Sequence, residues 1–539
     1  MFNRCDPAIC WFLFLCAVLV SGCGAPAVES SPRIEDVGET PLPDAESVDP
    51  DCLHIALRSG GLTLDPAMIG PDDYASSVLA RQMYRGLVRP TPDGVEHDLA
   101  VGWSSEDEGW TWDFFLDQEA TFHDGTRITA GLIREQWISE LRTDSDSPLA
   151  ACLLNAADIR APADDILRFH LSHPDGQFPS AVATCPNMLV SGPSTGEVPL
   201  GTGSYRYGGL TPEGVVILRA VGRQDFRSLV FHPLPPDLDL GEPETWDPEI
   251  ADILESAGAV MYLRPGEASA VALRLGMYVD AAPAFNVRGL VLNDGRDPLC
   301  VGEVRRAIFC AVGDSASLFE DAEEHSRHLL PILTWLPSGH ALGDLVSQPM
   351  SRPRDPERAE ALLESAGLWR GEDGFWVTGG IADLPMPVNL EMIAPEGVYA
   401  GGEIAAGLIS DRLTEAGFRV QTEVLPWVRF LSRYFPGEYD LALVGWSEHS
   451  PVASAFLFPW FHSNGGVTIN AGDRLGLDSL LLSARSEMSE DERAAKYAEV
   501  LDTAAEASLL LPLYTTPALH ALRGDLRPCG PFPSFSRDE

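Results

Sequence analysis

Hydrophobic and polar positions follow two rhythms along this chain. In the segment 98–126, Trp110, Trp112, Phe114 and Leu116 place a large apolar side chain at every second position, which predicts a strand with one buried face. SSEDEG precedes that strand and HDGT follows the next, both rich in turn formers, so the segment reads as a β-meander. Leu53–Leu57, Val388–Ile393, Arg419–Leu425 and Asp440–Gly445 are further expected strands. A helical spacing governs Ser76–Gly86, Thr129–Leu141, Pro356–Ala366, Glu403–Ala416 and Glu490–Ala507. Asp355 as N-cap, Pro356 in the first turn and Gly367 beyond the end frame one of these, and Gly417 closes another. Strand and helix alternate over 388–446, which predicts an α/β lobe with a partly parallel sheet. No internal repeat is evident.

Length changes this picture first: 539 residues exceed what one hydrophobic core organises, so more than one lobe is expected. The net charge of −43 excludes general nucleic-acid binding, which needs cations to neutralise phosphates, and disfavours adhesion to anionic lipid. No stretch of the body approaches the ~20 apolar residues of a membrane span. At the N-terminus, the apolar run Ala8–Val20 follows Arg4 and stops at Val20-Ser21-Gly22-Cys23, which reads as a secretory signal (1–22) ending in a lipobox. Asp6 is the one feature against it. Cleavage there would leave Cys23 as a lipidated residue. Residues 23–51, rich in acids, proline and serine, read as a disordered tether.

Candidate chemistry is sparse. GPSTG (Gly192–Gly196) fits the serine-hydrolase elbow pattern, but Pro193 and Pro199 flank Ser194 and no helical run begins there, so it is a chance match. His123-Asp124 sits where Asp124-Gly125 makes a turn. No zinc-protease, Walker or dinucleotide motif occurs, and Arg206 stands where GTG (Gly201–Gly203) would need a third glycine. Six cysteines remain after Cys23 (Cys52, Cys152, Cys185, Cys300, Cys310 and Cys529), and none has the C-x-x-C spacing of a zinc or redox site.

Several blocks together resemble the family-5 solute-binding proteins of ABC importers, the group of oligopeptide- and dipeptide-binding proteins. Leu99, Ala100 and Trp103 match "LA-x-x-W"; Gly109, Trp112, Phe114 and Leu116 match "D-G-x-x-(Y/W)-x-F-x-L"; Phe122–Thr126 matches "F-H-D-G-T". Leu62–Val88, Val198–Arg206 (with Ser204 for the proline of "GTGPY"), Gly302–Val312, Asp355–Gly367, Gly437–Trp446 and Glu506–Tyr514 follow in the family's order. The stretch 207–285 matches worst.

The resemblance implies a periplasmic-binding-protein type II-like α/β fold, two large lobes around a cleft with a small inserted lobe. The first lobe would take 52–92, 200–285 and 505–539, the inserted lobe 93–199, and the other large lobe 286–504. It implies no enzyme activity, cofactor or metal. The partners are a small solute, possibly a peptide, ABC permease subunits and the membrane through the lipid, with the chain acting as a monomer outside the cytoplasm. Cys152 and Cys185, sharing the inserted lobe, are the expected disulfide. If Gly302–Val312 is a helix, Cys300 and Cys310 lie ~15 Å apart, too far to bridge.

For the cleft, the resemblance points to Trp427–His449. Peptide binders carry a carboxylate three residues after the "GW" tryptophan to hold the terminal ammonium. Here Trp446 is followed by Ser447, Glu448 and His449, so histidine takes that place and the acid has moved by one. Tyr434 and Leu443 stand where oligopeptide binders have arginines; Arg429 and Arg433 are near but displaced. Trp427, Tyr434, Trp446, Glu448 and His449 are the candidates on this face, and Asp73 and Tyr74, with Asp72, on the opposite one. Two other readings stay open: an exported hydrolase, which lacks a complete nucleophile-base-orienter set, and a degenerate family member acting as a sensor or surface-interaction lipoprotein.

Overall fold

A computed structural model describes residues 51–537, apart from 71–72, 92–93, 144–146, 154, 193–197, 283–285, 320–328, 333, 337–341, 343–351, 380–384, 448–451, 464, 466–474, 525 and 530–533. Cys23, the tether up to residue 50, Ser194, Asp72, Glu448 and His449 therefore lie outside the described residues. Among the described residues, no helix is long and apolar enough to cross a membrane.

Three larger sheets organise the chain. Strands Cys52–Arg58, Ser228–Leu234 and Ala259–Leu263 run parallel at the centre of a seven-stranded sheet, whose remaining strands are Tyr205–Leu210, Val216–Ala220, Tyr278–Ala282 and Ala518–Leu522. A six-stranded sheet holds Asn286–Leu292, Leu330–Pro331, Asn389–Pro395, Arg419–Leu425, Leu441–Ser447 and Leu510–Thr515. Its strands Asn389–Pro395, Arg419–Leu425 and Leu441–Ser447 are parallel, while Asn286–Leu292 runs against both its neighbours. Helices separate the parallel strands as the alternation over 388–446 predicts, and both faces of the sheet are covered by buried apolar clusters.

The third sheet, of four antiparallel strands, is Ala100–Ser104, Thr111–Leu116, Ala156–Ala163 and Ile166–Leu171. Trp112, Phe114 and Leu116 point into its core, all at most 5% exposed. Trp110 does not join them. It precedes the strand and is 48% exposed, because its carbonyl accepts the Leu171 amide while Gly109 takes the left-handed turn, at φ 88°. Cys152 and Cys185 form a disulfide beneath this sheet, with Cα atoms 6.5 Å apart; among the described residues, Cys52, Cys300 and Cys310 are in no disulfide.

Several boundaries shift. The helix expected over 76–86 is Tyr74–Met83, stopped where Tyr84 turns extended. The strand expected to end at Gly445 continues to Ser447, carrying Trp446 with it. The boundary expected near 505 falls later: Leu510–Thr515 pairs with Asn286–Leu292 in the six-stranded sheet, and only Ala518–Leu522 returns to the seven-stranded one. An all-apolar strand such as LLPLY carries no local mark of which sheet it joins.

The family-like blocks prove to be joints. Asp98 accepts from Arg85 Nε at 2.6 Å and from the Gly86 amide at 2.9 Å. The amides of Thr202 and Gly203 both reach the Met83 carbonyl, and a Cβ on Gly203 would fall 2.5 Å from the Gln82 carbonyl oxygen. His123 Nε2 bonds the Gly203 carbonyl at 2.9 Å, and a Cβ on Gly201 would strike its ring at 2.5 Å. Asp124 caps its own turn: the Thr126 amide and hydroxyl hold its carboxyl below the usual range. That geometry gives His123-Asp124 a structural role.

Candidate functional site

Both large sheets turn the carboxyl ends of their parallel strands toward one another. In the seven-stranded sheet, Arg58, Leu234 and Leu263 end their strands on the side where Ala518 begins and Ala282 ends. In the six-stranded sheet, Pro395, Leu425, Ser447 and Thr515 end on the side where Asn286 begins. The chain passes between the sheets there twice, from Ala282 to Asn286 and from Thr515 to Ala518. Asn286 ties the crossings together: its Oδ1 accepts from the Thr516 amide (3.0 Å) and hydroxyl (3.1 Å), and its Nδ2 donates to the Thr516 carbonyl (2.8 Å). In open α/β sheets this is where ligands are held, because the loops that leave the strands are free to vary.

On the six-stranded side, Trp446 and Trp427 are half-buried against the same apolar cluster. Trp427 opens helix Trp427–Tyr434 and stacks on Phe430, centroids 5.6 Å apart. Phe430 stacks on Tyr434 (5.5 Å) and Tyr434 on Tyr439 (5.2 Å). Tyr434, expected as a cleft residue, is thus the interior of an aromatic column, 6% exposed, where burial raises its phenol well above the ordinary value. Leu443 is fully buried as well. Arg433 is committed to Glu423, at 3.0 Å.

Across the boundary, the Asp73 carboxylate accepts the Ser76 amide at 2.9 Å and so acts as the N-cap of helix Tyr74–Met83. Tyr74 meets Tyr262, centroids 5.8 Å apart, and Tyr262 meets His520 edge-on at 5.2 Å. Tyr262 adopts φ 55°, a strained conformation for a bulky residue. It is clamped there: its amide donates to His520 Nδ1 (3.3 Å), and its carbonyl accepts from Arg58 Nη1 (3.4 Å). Burial lowers His520 to a pKa of about 4, so its Nδ1 is a neutral acceptor.

Arg288 joins the site without being among the residues expected there. It is the sole charge in the strand Asn286–Leu292, and that lone cation in an apolar run was the available signal. Its Nη1 donates to the Val287 and Trp446 carbonyls (3.0 and 2.9 Å), its Nη2 to Ser447 Oγ (3.1 Å), and its guanidinium lies 4.6 Å from the Tyr399 ring centroid. Elsewhere, a surface groove along helix Glu490–Ala507 is lined by Asp491, Glu499, Asp502 and Glu506, away from the strand ends.

Residues 94–467 match the model for bacterial extracellular solute-binding proteins, family 5. The chain belongs to that family. A probable D,D-dipeptide-binding periplasmic protein of Escherichia coli is 25% identical over 504 residues, 88% of this chain and 91% of that one. A probable di/tripeptide-binding protein of Pseudomonas aeruginosa is 27% identical over 243 residues, 44% of this chain and 41% of that one, so this chain spans under half of that relative. Among solved structures, HbpA2 from Haemophilus parasuis shares the fold with a TM-score of 0.74 at 18% identity, covering 90% of this chain and all of that one. Family-5 members are extracytoplasmic binding components, and the two facing strand-end surfaces joined by paired crossings are the architecture on which such binding is built.

Proposed function

We propose that this protein is the substrate-binding component of an ABC importer, holding a peptide or other small solute between its two large sheets and delivering it to a permease without altering it. The observation that carries the reading is the pair of facing strand-end surfaces, joined by two crossings that Asn286 ties together. Such a joint lets the halves close on a solute while the sheets stay rigid. The relatives named for dipeptides and tripeptides support peptides as the solute class. A lipid on Cys23, with residues 23–51 as tether, would hold the protein at the membrane.

Within the cleft, Trp427 and Trp446 would supply aromatic surface, and Tyr74, at the start of helix Tyr74–Met83, would add to it from the other large lobe. Glu448 and His449 follow the strand that carries Trp446. Because histidine stands three residues past Trp446, ordinary free-amine peptides should bind weakly unless Glu448 supplies the missing charge: a buried ammonium without a partner costs about 2–5 kcal/mol. Calorimetry with a pool of di- to pentapeptides tests this, and Glu448→Gln should remove whatever affinity the free amine provides. Submicromolar binding that survives Glu448→Gln would refute this account of the pocket. Solute-driven closure separates transport binding from the sensor alternative only when a permease is supplied as well, since both would close.

A further inference from the structure

We infer that Arg288 is the anchor for a carboxylate of the solute, a role that rests on the binding function proposed above and specifies its chemistry. The strand Asn286–Leu292 brings this side chain to the end of the six-stranded sheet, beside the crossing between the two sheets. It is half-buried, and among the described residues no carboxylate lies within ion-pair distance of it. Arg296, Arg433 and Arg485, in the same large lobe, each have an acidic partner.

The guanidinium is nevertheless held firmly. Two Nη1 hydrogens serve the Val287 and Trp446 carbonyls, and one Nη2 hydrogen serves Ser447 Oγ. The Tyr399 ring covers one face. A guanidinium carries five N–H donors, so among the described residues the Nε hydrogen and one Nη2 hydrogen have no acceptor. Nε and Nη2 share one edge of the planar group, an edge that can receive a carboxylate through two parallel bonds. Neutral acceptors orient the group and do not cancel its charge. A partly desolvated cation of this kind favours an anionic ligand, and its planar fork favours carboxylate. The Trp446 carbonyl is one of the braces, so the recognition of charge by Arg288 and the aromatic surface of Trp446 are parts of one site.

The test uses the full chain and a pool of di- to tetrapeptides made in four forms: amino terminus free or acetylated, carboxyl terminus acid or amide. Wild type should bind acids at least ~30-fold more tightly than the matching amides. Arg288→Gln should lose that preference and bind acids and amides alike, with Arg288→Lys intermediate because a lysine keeps the charge without the fork. Equal binding of acids and amides by wild type would overturn the assignment, whatever the variants do. The N-terminal forms report separately on Glu448 and His449. If wild type binds no form of the pool, small molecules released from the purified wild type and Arg288→Gln proteins are identified by mass spectrometry. A carboxylate-bearing solute carried by wild type and missing from the variant supports the assignment. A solute without a carboxylate, or an equal load in both proteins, overturns it. A wild-type protein that neither binds the pool nor carries a solute removes the binding function itself, and the assignment with it.

Discussion

Arg288 lies against Gly445, its directly opposed partner on the neighbouring strand: a Cβ at 445 would sit 2.4 Å from Arg288 Cδ and 2.8 Å from its Nε. The glycine of the Gly445-Trp446 pair is therefore the floor on which the arginine stem rests. Gly445→Ala should push the stem off the strand and break its bonds to Trp446 and Ser447. The expected cost is about 1–3 kcal/mol of stability, the range for overpacking a well-filled site. Urea denaturation checks it, and an unchanged midpoint would show that the stem relaxes freely.

A second relationship joins the small antiparallel sheet to the six-stranded body. Arg485, on helix Leu477–Ser486, reaches Asp175 at 2.8 Å, and Asp175 is only 5% exposed. The Gly176 amide donates to the Arg485 carbonyl at 2.9 Å, and Tyr497 donates to Gln177 at 3.0 Å. Removing one partner of a buried pair typically costs about 3–5 kcal/mol, because the other charge is stranded. Here much of that cost is avoided if the two parts separate and Asp175 is hydrated. Arg485→Ala should therefore accelerate solute release, by roughly tenfold or more, with a smaller effect on global unfolding. Stopped-flow release set beside a denaturation curve separates the two; equal loss in both would make the contact a plain stability element.

Acid should destabilise the fold through its buried histidines. Burial lowers His232 and His520 to a pKa of about 4 each, against 6.5 when unfolded. Between those values the unfolded chain binds the proton and the folded chain does not, so stability falls as pH drops from about 6.5 toward 4. Each histidine contributes a slope of up to about 1.4 kcal/mol per pH unit in that window. His232 stands 3.0 Å from His54, whose pKa burial also lowers, so protonating either one meets its neighbour. Denaturation midpoints at pH 7 and pH 5 should differ, and His520→Asn should shrink the difference if it folds. No change between the two pH values would contradict the burial.

How much of this was legible in the sequence depends on the range of the forces involved. Local signals were readable: Asp355 caps its helix through the Arg358 amide at 2.9 Å, and the alternation over 388–446 delivers parallel strands. Strand membership was not, since Leu510–Thr515 pairs with residues more than 200 positions away and nothing in its own side chains selects them. The candidate site divided along similar lines. Trp427 and Trp446 stand at the strand-end surface, but Tyr434 does not, because helix Trp427–Tyr434 turns it inward onto Phe430 and Tyr439. Asp73 has an acid's charge and a cap's position, and the cap governs its contacts. The role of Arg288 shows in its sequence only as a lone cation in an apolar strand, because its partners, the Val287 and Trp446 carbonyls and Ser447 Oγ, are set by the fold.

The central claim is that the two halves close on a small solute. Small-angle X-ray scattering of the full chain tests it most directly, first after the protein has been stripped by unfolding and refolding, then with the peptide pool or the solute released from the native protein. Closure about the Asn286 joint predicts a radius of gyration that falls on addition and saturates with solute concentration. A stripped protein whose scattering is the same before and after addition, under conditions where calorimetry registers binding, would contradict it.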